Sequence, residues 1–126
     1  MNVPTELRYS KDHEWARLED GKIRVGITDY AQDALGDVVF VELPAVGDTV
    51  ALGGSFGEVE STKSVSELYA PVAGTVVEVN GDLVDAPERL NDDPYGEGWI
   101  CVIDPDDEAQ YTTLLDAAAY LELIGS

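Results

Sequence analysis

The stretch from Asp37 to Val84 is dense in β-branched residues and broken at short intervals by Gly and Pro. That pattern suits brief strands joined by tight turns and excludes long helices. At its centre lies Gly57-Glu58-Val59-Glu60-Ser61-Thr62-Lys63-Ser64-Val65-Ser66-Glu67-Leu68, read as a hairpin with a short polar summit. Val59 and Val65 stand at equal distances from Thr62, and Lys63 sits at the top between Thr62 and Ser64. Beyond Arg24 the only basic residues are Lys63 and Arg89, in a chain of net charge −19. An isolated amine on a turn tip in so acidic a protein calls for a chemical reason.

The strands around this hairpin follow from alternation and turn residues. Val38 to Leu43 is a strand, Pro44 to Asp48 a turn, and Thr49 to Leu52 a short strand. Gly53-Gly54 turns the chain into the strand that rises to the summit. Val65 to Tyr69 descends, and Ala70 to Gly74 turns into Thr75 to Val79. A short echo links Val41-Glu42-Leu43 and Gly47-Asp48-Thr49-Val50 to Val77-Glu78-Val79 and Gly81-Asp82-Leu83-Val84. It predicts a quasi-two-fold sandwich with the hairpin at one edge.

Residues 7–27 read as two strands joined by Asp20-Gly21, a hairpin signal. A short helix near 28–35 follows, with Thr28 as N-cap and Gly36 as stop. Residues 85–98 are loop-like with a helical turn after Pro87, and Trp99 to Ile103 is a final buried strand. Helices at about 105–124 close the chain, the first starting at Asp106 and the second running from Ala117 to Ile124. The second docks on the sandwich through Tyr120, Leu121 and Ile124, because a helix so short is unstable alone. At 126 residues and 44% hydrophobic content, the expectation is one mainly β domain over 1–126, with its core sandwich at about 37–84.

Composition excludes several functions. The charge of −19 repels phosphates, so neither nucleic acid nor an anionic membrane surface is an expected partner, and it favours a monomer. No apolar run approaches a membrane span and the first residues lack a signal-peptide pattern, which points to the cytoplasm. Acidic residues scattered along the whole chain resemble the composition of proteins from salt-loving organisms. Cys101 lies in an apolar stretch and reads as core filler. His13, the only histidine, is flanked by Lys11, Asp12 and Glu14 and is expected on the surface. No nucleophile–base set or phosphate loop is present, and Asp92-Asp93 and Asp104 to Glu108 lack calcium-loop spacing. The expectation is a non-enzyme without a metal.

Lys63 does not read as a catalytic amine. An ε-amine is protonated near neutral pH, with a pKa of about 10.4, and nearby Glu60 and Glu67 favour the charged form. A covalent attachment point suits it better, because a tight turn holds the amine out between small side chains.

Glu60-Ser61-Thr62-Lys63-Ser64 with Ser66-Glu67-Leu68-Tyr69-Ala70-Pro71 resembles the lipoyl-lysine signature of the glycine cleavage system H protein family. The likeness continues through His13-Glu14-Trp15, Val25 to Gln32, Leu35 to Pro44, Asn91, Pro94-Tyr95-Gly96, Gly98-Trp99, Leu114 to Ala117 and Tyr120. It implies a barrel-sandwich hybrid with an N-terminal β-hairpin extension, carrying lipoate in amide linkage on Lys63. The carrier would take an aminomethyl group from a pyridoxal-phosphate-dependent glycine decarboxylase to a tetrahydrofolate-dependent aminomethyltransferase. A dihydrolipoyl dehydrogenase would reoxidise the arm, and a lipoate-protein ligase or a lipoyl/octanoyl transferase would load it. Tethering keeps the intermediate at high local concentration.

The resemblance also implies that Glu14 belongs to a cleft holding the loaded arm and that Glu67 aids recognition by the ligase. Ala34 stands where some relatives have a histidine, so other contacts must shelter the arm here. Three other roles compete: a lipoyl domain of a 2-oxoacid dehydrogenase, a biotin carrier, and a relay of lipoyl or octanoyl groups. Dehydrogenase domains are shorter, without the N-terminal strands or C-terminal helices, and biotin carriers usually flank the lysine with methionines. The relay uses the same lysine, and the sequence does not separate it from glycine cleavage.

Overall fold

The computed structural model describes residues 1–125. Its strands are β1 (Arg8–Tyr9), β2 (Glu14–Glu19), β3 (Lys22–Ile27), β4 (Val38–Glu42), β5 (Thr49–Val50), β6 (Ser55–Ser61), β7 (Val65–Tyr69), β8 (Gly74–Val79) and β9 (Cys101–Pro105). The helices are α1 (Asp29–Leu35), α2 (Asp82–Asp85), α3 (Arg89–Asp92), α4 (Ala109–Thr112) and α5 (Ala117–Leu123). Six strands form one sheet in the order β1-β2-β3-β9-β8-β5, and three form the other in the order β4-β6-β7. The two apolar faces enclose one core that includes Val25, Ile27, Val41, Val59, Leu68 and Ile103. This mainly β, two-sheet arrangement is the barrel-sandwich expected from the sequence.

Local chemistry explains the elements that support the hairpin. Asp20 and Gly21 take φ of 52° and 79°, the left-handed pair that a two-residue hairpin turn needs. Gly26 faces Trp15 across β2 and β3. A Cβ on Gly26 would come within 2.5 Å of the indole Nε1, so the absent side chain makes room for the ring. Trp15 Nε1–H then reaches the Pro94 carbonyl at 2.8 Å. Thr28 caps α1 by accepting the Ala31 N–H at 3.1 Å, and Gly36 ends it at φ 80°.

Several expectations shift. Residues 7–27 hold three strands, because Arg8–Tyr9 pairs with Ala16 and Trp15 at the sheet edge. The buried core also reaches past 37–84: β3 pairs with β9, and β9 with β8, so both chain ends build the larger sheet. The echo across Lys63 stops at its second copy. Thr49–Val50 is a strand beside β8, whereas Asp82–Asp85 is a helical turn that buries Leu83. The two sheets are therefore unequal, although the hairpin does lie at an edge, with β7 outermost in the smaller one.

The last strand begins at Cys101 rather than Trp99, whose ring lies outside the sheet under the Arg24 guanidinium, 4.4 Å from it. The first C-terminal helix starts at Ala109 instead of Asp106. Asp106 N–H is tied to the Ala73 carbonyl at 2.9 Å, which keeps that segment extended along the sheet. Helix α5 docks chiefly through Tyr120, fully buried and stacked on Tyr9 at 4.7 Å, with Ile124 beside it. Cys101 is core filler as expected, and burial pushes its thiol up to about 12. Among the described residues no helix is long and apolar enough to cross a membrane.

Candidate functional site

The hairpin summit is built by one serine. Ser61 N–H donates to the Ser64 carbonyl at 2.8 Å and closes the ladder. Ser61 Oγ accepts the N–H groups of Lys63 and Ser64, each at 3.1 Å, in place of backbone acceptors. Thr62 N–H donates to the Asp37 carbonyl at 3.0 Å and ties the tip to the chain that follows α1. Lys63 itself is exposed, and among the described residues it makes no ion pair. Its aliphatic stem lies over Gly36.

Beside this tip opens a cleft of about 270 Å³. One wall is α1 and its flanks, with Ile27, Ala31, Ala34 and Leu35; the other is β7, with Ser64 and Val65 directly after Lys63. Asn91 holds the first wall in place. Its Nδ2 donates to the Gly36 carbonyl at 2.8 Å and to Gln32 Oε1 at 3.1 Å, while its Oδ1 accepts the Val38 N–H at 2.9 Å. No local pattern around Asn91 signals this role, because its three bonds reach residues far away in the chain.

Glu14 lines the cleft and is 2% exposed. Ser10 Oγ–H donates to its Oε1 at 2.6 Å, and Tyr69 N–H to its Oε2 at 3.3 Å. Ser10 Oγ in turn accepts the Glu14 N–H at 3.1 Å and the Asp12 N–H at 3.3 Å, which occupy both lone pairs and leave the hydroxyl as donor to the carboxyl. Burial raises the Glu14 carboxyl to about 8, against the opposing pull of the Ser10 and Tyr69 hydrogen bonds. At neutral pH Glu14 is therefore held largely as the neutral acid. A cation entering the cleft would draw the proton off and gain a buried carboxylate partner.

Glu67 also borders the cleft, but its carboxylate is held elsewhere. It accepts the Ser55 hydroxyl and stands opposite Glu58, which is itself opposite Glu42. These three acids form a row across the outer face of the smaller sheet. Burial first, then the charges of Glu67 and Glu42, raise the Glu58 carboxyl. The structure thus separates the two expected carboxylates, with Glu14 inside the cleft and Glu67 on the outer face below the tip.

His13 departs from the surface position expected for it. It is half-buried, has φ 72°, and lines the same cleft. Its ring lies 4.8 Å from Tyr30, and Nδ1 is 2.8 Å from the Tyr120 hydroxyl. The polar residues next to it gave no sign of this, because its partner arrives from the far end of the chain.

Residues 7–126 match the family described as Glycine cleavage H-protein. The chain belongs to that family. It is a non-catalytic carrier subunit of the glycine cleavage system. Among its relatives, the glycine cleavage system H protein of Anaeromyxobacter sp. (strain K) is 60% identical over 120 residues, covering 95% of this chain and 94% of the relative. That of Geobacillus thermodenitrificans is 55% identical over 124 residues, or 98% of each chain. The crystal structure of a glycine cleavage system H protein from Mycobacterium marinum superposes with a TM-score of 0.91 at 47% identity, covering 98% of this chain and all of that one. Similarity on this scale favours the glycine-cleavage carrier over a 2-oxoacid dehydrogenase domain or a biotin carrier.

Proposed function

We propose that Lys63 carries lipoate in amide linkage and that the cleft beside it shelters the loaded arm. One observation carries this reading: a lysine with no ion-pair partner among the described residues, on a hydrogen-bonded tip, adjoins a cleft whose wall holds the buried acid Glu14. When attached, lipoate supplies a dithiolane that accepts a one-carbon amine unit together with two electrons. The protein's own residues do the rest. Ser61 keeps the amine in a fixed, projecting turn that a modifying enzyme can reach. Ile27, Ala31, Leu35, Val59 and Leu68 offer apolar surface for a hydrocarbon arm. Glu14 is the acceptor for an amine, and its proton leaves as the amine's charge enters.

The partners are a pyridoxal-phosphate-dependent glycine decarboxylase, a tetrahydrofolate-dependent aminomethyltransferase, a dihydrolipoyl dehydrogenase, and a lipoate-protein ligase or lipoyl/octanoyl transferase. Ala34 contributes no hydrogen bond to the arm, so Glu14 bears more of the task of holding the amine. Glu67, on the outer face below Lys63, serves recognition by the loading enzyme rather than the cleft.

Intact mass tests the attachment. Protein purified from its natural host is expected to show the mass increase of one lipoyl group, absent from Lys63→Arg. A biotin-sized increase, or modification at Lys11 or Lys22, would refute the reading. Glu67→Ala is expected to slow loading by the ligase without altering the cleft.

A further inference from the structure

A buried chain of hydrogen bonds runs from the N-cap of α1 to the imidazole in the cleft. Thr28 is fully buried, and its Oγ1 already accepts the Ala31 N–H at 3.1 Å. Its hydroxyl proton needs an acceptor, and the Tyr120 Oη at 2.8 Å is the partner it has. Tyr120 is also fully buried, so its own proton must go to its remaining partner, His13 Nδ1, at 2.8 Å. Nδ1 is thereby an acceptor, and the neutral ring carries its proton on Nε2. Among the described residues no hydrogen bond engages Nε2, and His13 lines the cleft next to Glu14.

The two polar groups of the cleft are complementary. Glu14 gives up a proton to take a cation, whereas Nε2–H only donates and has no lone pair for an ammonium. Nε2–H needs an acceptor, and an arm tethered at Lys63 offers two kinds: its amide oxygen beside the attachment point and the sulfur atoms at its free end. We infer that His13 is a binding residue for the arm, presenting Nε2–H to its sulfur end, and that Tyr120 is the positioning residue that sets this tautomer. The inference rests on the reading of Lys63 as the lipoyl site. Helix α5, from the opposite end of the chain, thus helps shape the cleft through Tyr120. The same chain resists a second proton on the ring, because Nδ1 would have to displace the proton Tyr120 donates, and a neutral imidazole leaves room for a charged amine beside Glu14.

The test uses the full-length chain, ¹⁵N-labelled, unmodified and then lipoylated on Lys63, reduced and loaded with an aminomethyl group on one sulfur. Long-range ¹H–¹⁵N spectra of the unmodified protein are expected to show His13 as the Nε2–H tautomer, and Tyr120→Phe is expected to move it toward a mixture. An Nδ1–H tautomer in the wild type would overturn the proposal. On the loaded protein the His13 Nε2 signal is expected to shift. The second readout is alkylation of the loaded arm's remaining thiol by iodoacetamide. His13→Asn keeps a side-chain acceptor for Tyr120 and tolerates the left-handed backbone at φ 72°, but it has nothing at the Nε2 position. It is expected to retain the thermal midpoint and to speed alkylation by about three- to tenfold, the range that loss of one hydrogen bond produces. If cleft signals such as Leu35 and Val65 shift on loading while His13 does not, and His13→Asn alkylates at the wild-type rate, the arm lies in the cleft without His13. That result overturns this inference alone. If no cleft signal shifts, both the sheltering cleft and the role of His13 are overturned.

Discussion

The side chain of Lys63 lies over Gly36: a Cβ placed on Gly36 would stand 3.1 Å from Lys63 Cε and 3.6 Å from Nζ. Gly36 has φ 80° and ψ −158°, a conformation essentially reserved for glycine. Its carbonyl is held by Asn91 Nδ2 and its N–H by the Gln32 carbonyl, so the backbone cannot relax to suit a side chain. The end of α1 and the resting place of the Lys63 side chain are one structural unit.

Gly36→Ala is therefore expected to cost about 1–3 kcal/mol in chemical denaturation, from backbone strain at a fixed helix end. It should also displace the lysine stem. Mass spectrometry of ligase reactions is expected to show slower modification of Lys63 at temperatures where the variant remains folded.

Ser61→Ala removes the acceptor for the Lys63 and Ser64 N–H groups. Both amides are exposed, so water replaces the lost bonds and the stability cost should stay near 1 kcal/mol or below. The tip, however, loses the side chain that defines its shape. Hydrogen exchange at Lys63 and Ser64 is expected to accelerate, while Val59 and Leu68 in the core keep wild-type protection.

The Glu14 carboxyl links stability to pH. Its folded value of about 8 lies above the ordinary 4.5, so the native state binds a proton that the unfolded chain releases between those values. This contribution is fully present below about pH 4.5 and is lost as pH rises toward 8, by roughly 2–4 kcal/mol after allowance for relaxation. Urea denaturation from pH 5 to 8 is expected to show declining stability in the wild type and a flatter profile in Glu14→Gln. Parallel profiles would mean that Glu14 ionises freely in the fold.

With 26 acidic against 7 basic residues, self-repulsion opposes the compact state. The facing row of Glu42, Glu58 and Glu67 concentrates it on the outer face of the smaller sheet. At about 1 M salt the screening length falls to about 3 Å. The thermal midpoint is expected to rise by roughly 5–10 °C from dilute buffer to molar potassium chloride. Glu58→Gln should raise the midpoint in dilute buffer and lose that advantage in high salt.

The alternation of apolar residues and the turn signals were enough to place most strands, helix α1 with its Thr28 cap and Gly36 stop, and the hairpin that lifts Lys63. Those features depend on neighbours within a few positions, where backbone preference and side-chain period act directly. The same local view missed the helical turn at Asp82–Asp85, whose residues echo a strand elsewhere but bury Leu83 under the sheet. It also placed the start of α4 too early, because the Asp106 N–H is claimed by Ala73.

What the sequence determined by itself was a β-rich fold with one presented lysine, since a lone amine on a tight turn is a local fact; the carrier role entered through the family resemblance. What only the tertiary structure decided was the surroundings of that lysine. Glu14 becomes a neutral buried acid because the packed sheets exclude water from it, which outweighs the hydrogen bonds from Ser10 and Tyr69 that favour the charged form. His13 becomes part of the cleft because Tyr120, over a hundred positions away, supplies its hydrogen bond. Desolvation and long-range hydrogen bonds arise only when distant segments pack, so neither residue's state could be read from its neighbours in the chain.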